Sequence, residues 1–196
     1  AAETGAVVVP SFDDPWVIEG QGSAGIEAAA QMAAIGLGTP THVVSPCGGG
    51  GLAAGLTLAL SEARVTVVEP EGWDDMRRSL EAGWIEPVGD NPPPTACDSL
   101  QTTRVSPLTF EVLARRGAEG VAVSEAEVAA AQRFAADRLR LVVEPGGAVA
   151  LAAAVALSAF VALTLSPMMA ARILKPHDGH ARGTRSGPQA SATRSR

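Results

Sequence analysis

The amino-acid sequence predicts an α/β fold, in which a parallel sheet is covered by helices on both faces. Short apolar runs, typical of buried strands, alternate along the chain with longer segments of helical character. The apolar runs show no clean polar alternation, as expected for strands that are covered on both sides. The 196 residues are 46% hydrophobic and 18% charged, which suits a buried core and excludes a disordered protein.

Each predicted strand is an apolar run that ends at a turn or a loop. The strands are expected at 6–9, 41–44, 64–68 and 121–123. Residues 84–107 carry five prolines and little periodicity, so they are expected to cross the fold as an irregular segment.

The helices are predicted from composition and from their end signals. A glycine-rich turn at 20–25 precedes an alanine-rich helix at 26–35, and further helices are expected at 52–63, 76–82, 107–115 and 124–139. Pro107 suits the first position of its helix. Ser124 and Glu127 form a predicted capping box. The last of these helices should bury one face, formed by Val128, Ala131, Phe134, Ala135 and Leu139.

Charge and cysteine content narrow the class of protein. The net charge is −6, which argues against general nucleic-acid binding. Two cysteines without metal-site spacing, and an N-terminal stretch without a signal-peptide pattern, favour a cytoplasmic protein. Basic residues are nearly all arginine, because Lys175 is the single lysine of the sequence.

Four consecutive glycines, Gly48 to Gly51, lie between a predicted strand and a predicted helix. Without Cβ atoms the backbone N–H groups can converge on an anion, and the start of the helix adds its free donors and its dipole. The pattern predicts a phosphate site, with a flexible surface loop as the alternative. It is neither a Walker loop nor a dinucleotide fingerprint, because no Gly-Lys follows and the glycines are contiguous.

The chain carries a series of short motifs: VPSFDD (9–14), GQGS (20–23), PCGGGGL (46–52), VEP (68–70), PPPTA (92–96), LTF (108–110) and VVEPGGA (142–148). In this order, residues 1 to about 154 resemble the threonine/serine dehydratases (ammonia-lyases) and serine racemases. These are pyridoxal-phosphate enzymes with the tryptophan-synthase-β fold, fold type II. The resemblance covers only part of that fold. Ser99 stands where these proteins carry a glycine.

The resemblance also implies roles for individual residues. Gly48, Gly49, Gly50 and Gly51, with the Leu52 amide, would hold the phosphate of pyridoxal 5′-phosphate, and Glu144 would lie near its pyridine ring. Glu69, the Trp73 carbonyl and Asp75 match positions that bind a divalent cation such as Mg²⁺ or Ca²⁺ in several relatives. The alternative for Glu69 is a strand-end carboxylate that pairs with a nearby arginine.

The complete family member converts a small hydroxy amino acid, threonine or serine, into a 2-oxo acid, and relatives are commonly homo-oligomers. Its chemistry needs a lysine that forms a Schiff base with the cofactor and acts as a base. Residues 1–171 contain no lysine, and Lys175 lies outside the matching region. The chain is therefore expected to lack catalytic residues for elimination and to be inactive as given. The alternatives are a non-catalytic binder of a phosphate ligand and a membrane-associated fragment.

The end of the chain has a different character from the rest. Residues 155–176 resemble a transmembrane segment of resistance-nodulation-division efflux transporters, and 146–171 carries no charge. The sequence predicts a C-terminal apolar helix on a soluble body, with membrane insertion through 146–175 as the alternative. Residues 177–196 are expected to form a disordered basic tail, which gives domains at 1–154, 155–176 and 177–196.

Overall fold

The computed structural model describes residues 4–156 and residue 158. Contacts divide the chain into Ala1–Phe160 and Val161–Arg196, and every described residue lies in the first unit. The predicted segment 155–176, apart from three residues, and the predicted tail 177–196 therefore lie outside the described residues.

The sheet has three parallel strands in the order β1 (His42–Pro46), β2 (Arg64–Pro70) and β3 (Glu119–Val123). Val44 pairs with Thr66 and Val68 with Val121, so all three strands end at the same edge. Parallel strands need crossover connections, and here each connection contains at least one helix. This confirms the predicted parallel α/β architecture.

Six helices are described around the sheet. They are α1 (Pro15–Ala34), α2 (Gly51–Ala59), α3 (Asp75–Ala82), α4 (Pro107–Arg115), α5 (Glu125–Phe134) and α6 (residues 145–156). The α4 bounds match the prediction, and the capping box of Ser124 and Glu127 is present at the start of α5. A wider π-helical turn, Ala135–Leu139, continues α5, and one short 3-10 turn, Asp98–Leu100, interrupts the irregular segment.

The two faces of the sheet bury separate apolar clusters. On one face Val65 and Val67 pack against Ala53, Met76 and Leu113 from α2, α3 and α4. The second cluster gathers residues from β2, β3, α5 and α6, namely Val68, Val123, Val128, Ala131, Val149 and Ala152. Burial of this apolar surface on both sides provides the main stabilisation of the fold and confirms that helices cover both faces.

Helix α1 differs from the prediction, because the expected glycine-rich turn at 20–25 is helical. Asp14 caps the helix by accepting hydrogen bonds from the amides of Trp16 and Val17. A Cβ on Gly55 of α2 would lie 2.5 Å from the Ile18 carbonyl oxygen, and one on Gly22 would lie 3.0 Å from the Gly55 oxygen. The glycines therefore let α1 and α2 approach at backbone contact, and this packing outweighs their low helix propensity.

The predicted strand at 6–9 is also wrong. Residues 5–10 form no regular structure, and Val7, Val8 and Val9 are 87%, 74% and 73% exposed. A strand requires a neighbour for its backbone hydrogen bonds, and none of the described strands pairs with this segment. Two members of the predicted buried face of α5 are also less buried than expected, since Phe134 is 38% and Leu139 47% exposed.

Candidate anion-binding site

The four glycines form a buried turn between the end of β1 and the start of α2. Gly50 is the N-cap of α2, with φ of +89°, a left-handed conformation that favours glycine. A Cβ at Gly50 would lie 2.8 Å from Cε of Met76 and 2.9 Å from Oγ1 of Thr109. The loop therefore packs closely against its neighbours, along a backbone path that leaves little room for side chains at these glycines.

This path leaves a row of backbone donors free. The Cys47 amide donates to the Val68 carbonyl, and the Ala54 amide donates to the Gly50 carbonyl. In the described part of the chain, the amides between them, from Gly48 to Ala53, donate to no protein acceptor, and the first five belong to residues 48–52. These free donors and the positive end of the α2 dipole make the start of α2 suited to an anion. The residues predicted to hold a phosphate thus lie at the start of α2 with free amides, namely Gly48, Gly49, Gly50, Gly51 and Leu52.

Phe12 lies directly against this loop, which sequence reasoning missed. The ring would overlap a Cβ on Gly49, and its own Cβ would lie 2.9 Å from one on Gly51. The contiguous glycines were the available signal, because consecutive positions without Cβ atoms indicate that another group approaches the backbone closely.

A cavity of about 260 Å³ opens at the loop. Its walls carry no charged side chain among the described residues; they consist of Ser11, Phe12, Gln21, Pro46, residues 48–52, Ser99, Leu100 and Thr102. Glu144 reaches the rim through Ser99, whose hydroxyl donates to its carboxylate at 3.3 Å. Glu144 is therefore near the same cavity as the glycine loop, and its position beside a pyridine ring stays a prediction. An anion here has to be held by backbone N–H groups and hydroxyls.

A larger groove, of about 410 Å³, lies between α1, α2 and α4. Its walls are mostly apolar and include Ile18, Ile26, Leu58 and Leu108. Since few polar groups converge on it, it offers little for holding a charged ligand, and the smaller cavity at the glycine loop is the better candidate site.

Glu69 ends β2 on the same side of the sheet and is fully buried. Its carboxylate accepts hydrogen bonds from the backbone amides of Met76 at 3.0 Å and Arg77 at 2.7 Å. It therefore satisfies the first turn of α3, whose own N-cap, Asp74, makes no side-chain cap. Arg77 contacts Glu69 through its backbone amide and not through an ion pair, because its guanidinium pairs with Asp74 and Glu81 instead. Burial raises the pKa of Glu69 well above its usual value, although the two amides act in the opposite direction.

Asp75 is the first residue of α3 and is 1% exposed. Both of its carboxylate oxygens are buried without a hydrogen-bond partner in the described part of the chain. Burial raises the pKa of Asp75 to about 6. An unpartnered buried carboxylate is costly, and a cation is one group that would relieve the cost.

Trp73 lies between these two carboxylates in the sequence, and its indole N–H donates to the Pro93 carbonyl at 2.8 Å. Among the described residues, no cluster of three or more His, Cys, Asp or Glu side chains is arranged to hold a metal ion. The predicted set differs from such a cluster, because it has two carboxylates and one backbone carbonyl.

Comparison with known proteins identifies the class of this fold. A crystal structure of threonine deaminase from T.th. superposes with a TM-score of 0.75 at 42% identity, covering 81% of this chain and 58% of that protein. The structure of maize serine racemase gives a TM-score of 0.70 at 30% identity, covering 78% and 45%. In sequence, the chain is 38% identical over 155 residues to beta-hydroxyaspartate dehydratase from Paracoccus denitrificans, covering 77% of this chain and 47% of that one.

By its fold, the chain is an α/β protein of the fold-type II pyridoxal-phosphate class, as the sequence predicts. The family model described as "Pyridoxal-phosphate dependent enzyme" matches residues 1–167, and the chain belongs to this family. Its members depend on pyridoxal phosphate. The chain spans less than half the length of the curated relatives it matches.

Proposed function

We propose that this chain anchors the phosphate of pyridoxal 5′-phosphate on the free amides of residues 48–52. We further propose that it forms part of a lyase for a hydroxy amino acid such as threonine or serine. The row of unpaired amides at the start of α2 carries the proposal, because it offers donors to an anion in a cavity without charged walls. The names of the relatives, a threonine deaminase and a beta-hydroxyaspartate dehydratase, support the substrate class.

The cavity residues divide the remaining tasks. Bound pyridoxal phosphate supplies an electron-withdrawing ring that stabilises negative charge on the substrate carbon. Phe12 provides an apolar wall above Gly49, and Ser99 orients the Glu144 carboxylate at the rim. No residue from 1 to 171 is a lysine, so no lysine amine in that part of the chain can accept the substrate proton. We therefore expect cofactor binding without elimination by this chain alone.

Binding is tested on the full chain by calorimetric titration with pyridoxal phosphate, with pyridoxal as the matched ligand that lacks the phosphate. We expect pyridoxal to bind at least about tenfold more weakly, and inorganic phosphate to compete with pyridoxal phosphate. Equal affinity for the two ligands would refute the assignment of the glycine loop. Formation of 2-oxo acid from threonine or serine is assayed in parallel, and robust turnover by the purified chain would refute the expected inactivity.

We also propose a divalent cation, Mg²⁺ or Ca²⁺, at Glu69, the Trp73 carbonyl and Asp75. The unpartnered oxygens of Asp75 support this site, because hard cations prefer oxygen ligands. Mg²⁺ or Ca²⁺ should raise the melting temperature of the wild-type chain, and Asp75→Asn should remove the increase. Asp98→Asn, an exposed change of the same kind, is the control. An unchanged cation effect in Asp75→Asn would exclude the site.

A second candidate is a phosphate-ligand module whose lysine comes from another polypeptide. The exposed run Val7–Val9 favours it, since none of the described strands pairs with this apolar segment and its backbone could pair with a strand of a partner. Co-expression with the N-terminal part of the T.th. threonine deaminase should then restore 2-oxo acid formation, and Val8→Asp should abolish the restoration. If co-expression with the unmodified chain does not restore 2-oxo acid formation, this candidate function is refuted.

The remaining expectations concern the end of the chain and its location. Within residues 4–156 and 158, no helix has the length and apolar character needed to cross a membrane. The family match reaches residue 167 and so extends into the 155–176 segment, whose resemblance to a transporter stays a prediction. Cytoplasmic location, oligomerisation and membrane association through 146–175 likewise remain proposals.

A further inference from the structure

We propose that Thr109 is a positioning residue for the glycine loop, and that its hydroxyl fixes the peptide from which the Gly50 donor points. This inference deepens the proposed function, on which it rests. Thr109 lies in the first turn of α4 and is fully buried. Its Oγ1 donates to the Gly49 carbonyl oxygen at 2.8 Å, across 60 residues of sequence.

Gly49 is the better placed of two acceptors for the one proton of this hydroxyl. The Ser106 carbonyl oxygen lies farther from Thr109 Oγ1, at 3.2 Å, and within the same turn. A donation to Ser106 would only reinforce the helix locally, whereas a donation to Gly49 joins α4 to the loop.

The consequence for the loop follows from peptide geometry. A peptide unit is planar and trans, so the Gly49 carbonyl and the Gly50 N–H point in opposite directions. Holding the carbonyl on the α4 side turns the Gly50 N–H away from α4. Gly50 has a positive φ and lacks a side chain, so its own covalent structure does little to fix the rotation of this peptide. Thr109 therefore selects the orientation of one donor of the proposed anion site.

The same turn of α4 also holds the segment that covers the loop. Ser106, the N-cap of α4, accepts from the Leu108 amide at 3.0 Å, and its hydroxyl donates to Asp13. Asp13 follows Phe12, whose ring lies against Gly49. Two hydroxyls one turn apart thus connect α4 to the glycine loop and to the segment above it.

The test compares three variants of the full chain. Thr109→Val removes the hydroxyl while keeping the shape, and Thr109→Ser restores the hydroxyl. Thr57→Val is the matched control, since Thr57 is a buried threonine that bonds the Ala53 carbonyl at 2.7 Å within α2. Dissociation constants for pyridoxal phosphate and for inorganic phosphate are measured by calorimetry. We expect Thr109→Val to weaken both by roughly five- to tenfold, with Thr109→Ser and Thr57→Val within about twofold of wild type.

A ligand-free measurement separates this inference from the proposed function. In the absence of any ligand, the ¹³C shift of the Gly49 carbonyl should move in Thr109→Val, and stay near the wild-type value in Thr109→Ser and Thr57→Val. If wild type binds neither ligand, the proposed function fails while this shift still tests the positioning role. An unchanged shift in Thr109→Val, or ligand affinity in Thr109→Ser as weak as in Thr109→Val, overturns the inference.

Discussion

Replacing Gly50 by alanine should damage the glycine loop in a way that can be separated from backbone strain. Gly50 and Gly83 have nearly the same left-handed backbone, with φ of +89° and +82°. A left-handed conformation costs a residue with a Cβ about 1–2 kcal/mol. At Gly83, which follows the end of α3, nothing lies within 4 Å of an added Cβ. Gly83→Ala should therefore lower the free energy of unfolding by about 1–2 kcal/mol.

Gly50→Ala adds a collision to the same strain. The new Cβ would lie 2.8 Å from Met76 Cε, and 2.9 Å from Thr109 Oγ1. Overpacking of a buried site typically costs about 1–3 kcal/mol, so the total loss should be about 2–5 kcal/mol. Urea unfolding followed by circular dichroism measures the loss, and calorimetry measures the affinity for pyridoxal phosphate. Gly50→Ala should weaken binding and Gly83→Ala should leave it unchanged. Losses within about 0.5 kcal/mol of each other, with equal ligand affinity, would refute this account.

Four further predictions concern other parts of the fold. Gly55→Ala should destabilise the protein by about 1–3 kcal/mol, because the new Cβ would push α1 away from α2. Gly20 is exposed in α1, and Gly20→Ala should stabilise the protein by about 0.5–1 kcal/mol. Denaturant titration measures both changes, and a stabilising Gly55→Ala or a destabilising Gly20→Ala would contradict them. In metal-free buffer, the free energy of unfolding should fall by at most about 3 kcal/mol as the pH rises from about 4 to 6. The reason is that burial raises the pKa of Asp75, so the unfolded state releases this proton at a lower pH than the folded state. Asp75→Asn should flatten this pH dependence in unfolding curves. Burial raises the pKa of the Cys47 thiol, so iodoacetamide should label it only in urea, and labelling of the folded chain, read by mass spectrometry, would contradict this.

The elements that the sequence predicts best are those stabilised by nearby residues. The bounds of α4 follow from Pro107 and its cap, and the start of α5 follows from Ser124 and Glu127. The strand predicted at 6–9 was wrong because a strand needs a neighbouring strand, which the apolar pattern does not specify. The predicted start of α1 was wrong because its glycines disfavour an isolated helix. Here the same glycines allow α1 to pack closely on α2.

The candidate site divides in the same way. The glycine loop could be found from its order of strand, glycines and helix, since these are adjacent in sequence. The close contacts of Phe12 and Thr109 join segments far apart in sequence, so no local pattern predicts them. The role of Glu69 as a cap for α3 depends on the path of the turn after β2. This turn brings the amides of Met76 and Arg77 to the carboxylate, and the sequence does not specify its path.

The uncharged walls of the cavity separate anchoring from selectivity. Donors that belong to the main chain are not deleted when a neighbouring side chain is exchanged, although we propose that Thr109 sets the orientation of one of them. Ser99 and Thr102 face the same cavity and carry no part of the backbone anchor. In the proposed site, changes at these two positions would therefore alter side-chain contacts to the ligand while the backbone amides remain. Since no arginine or lysine side chain of the described residues lines the cavity, the proposed attachment depends on no direct contact with a side-chain cation.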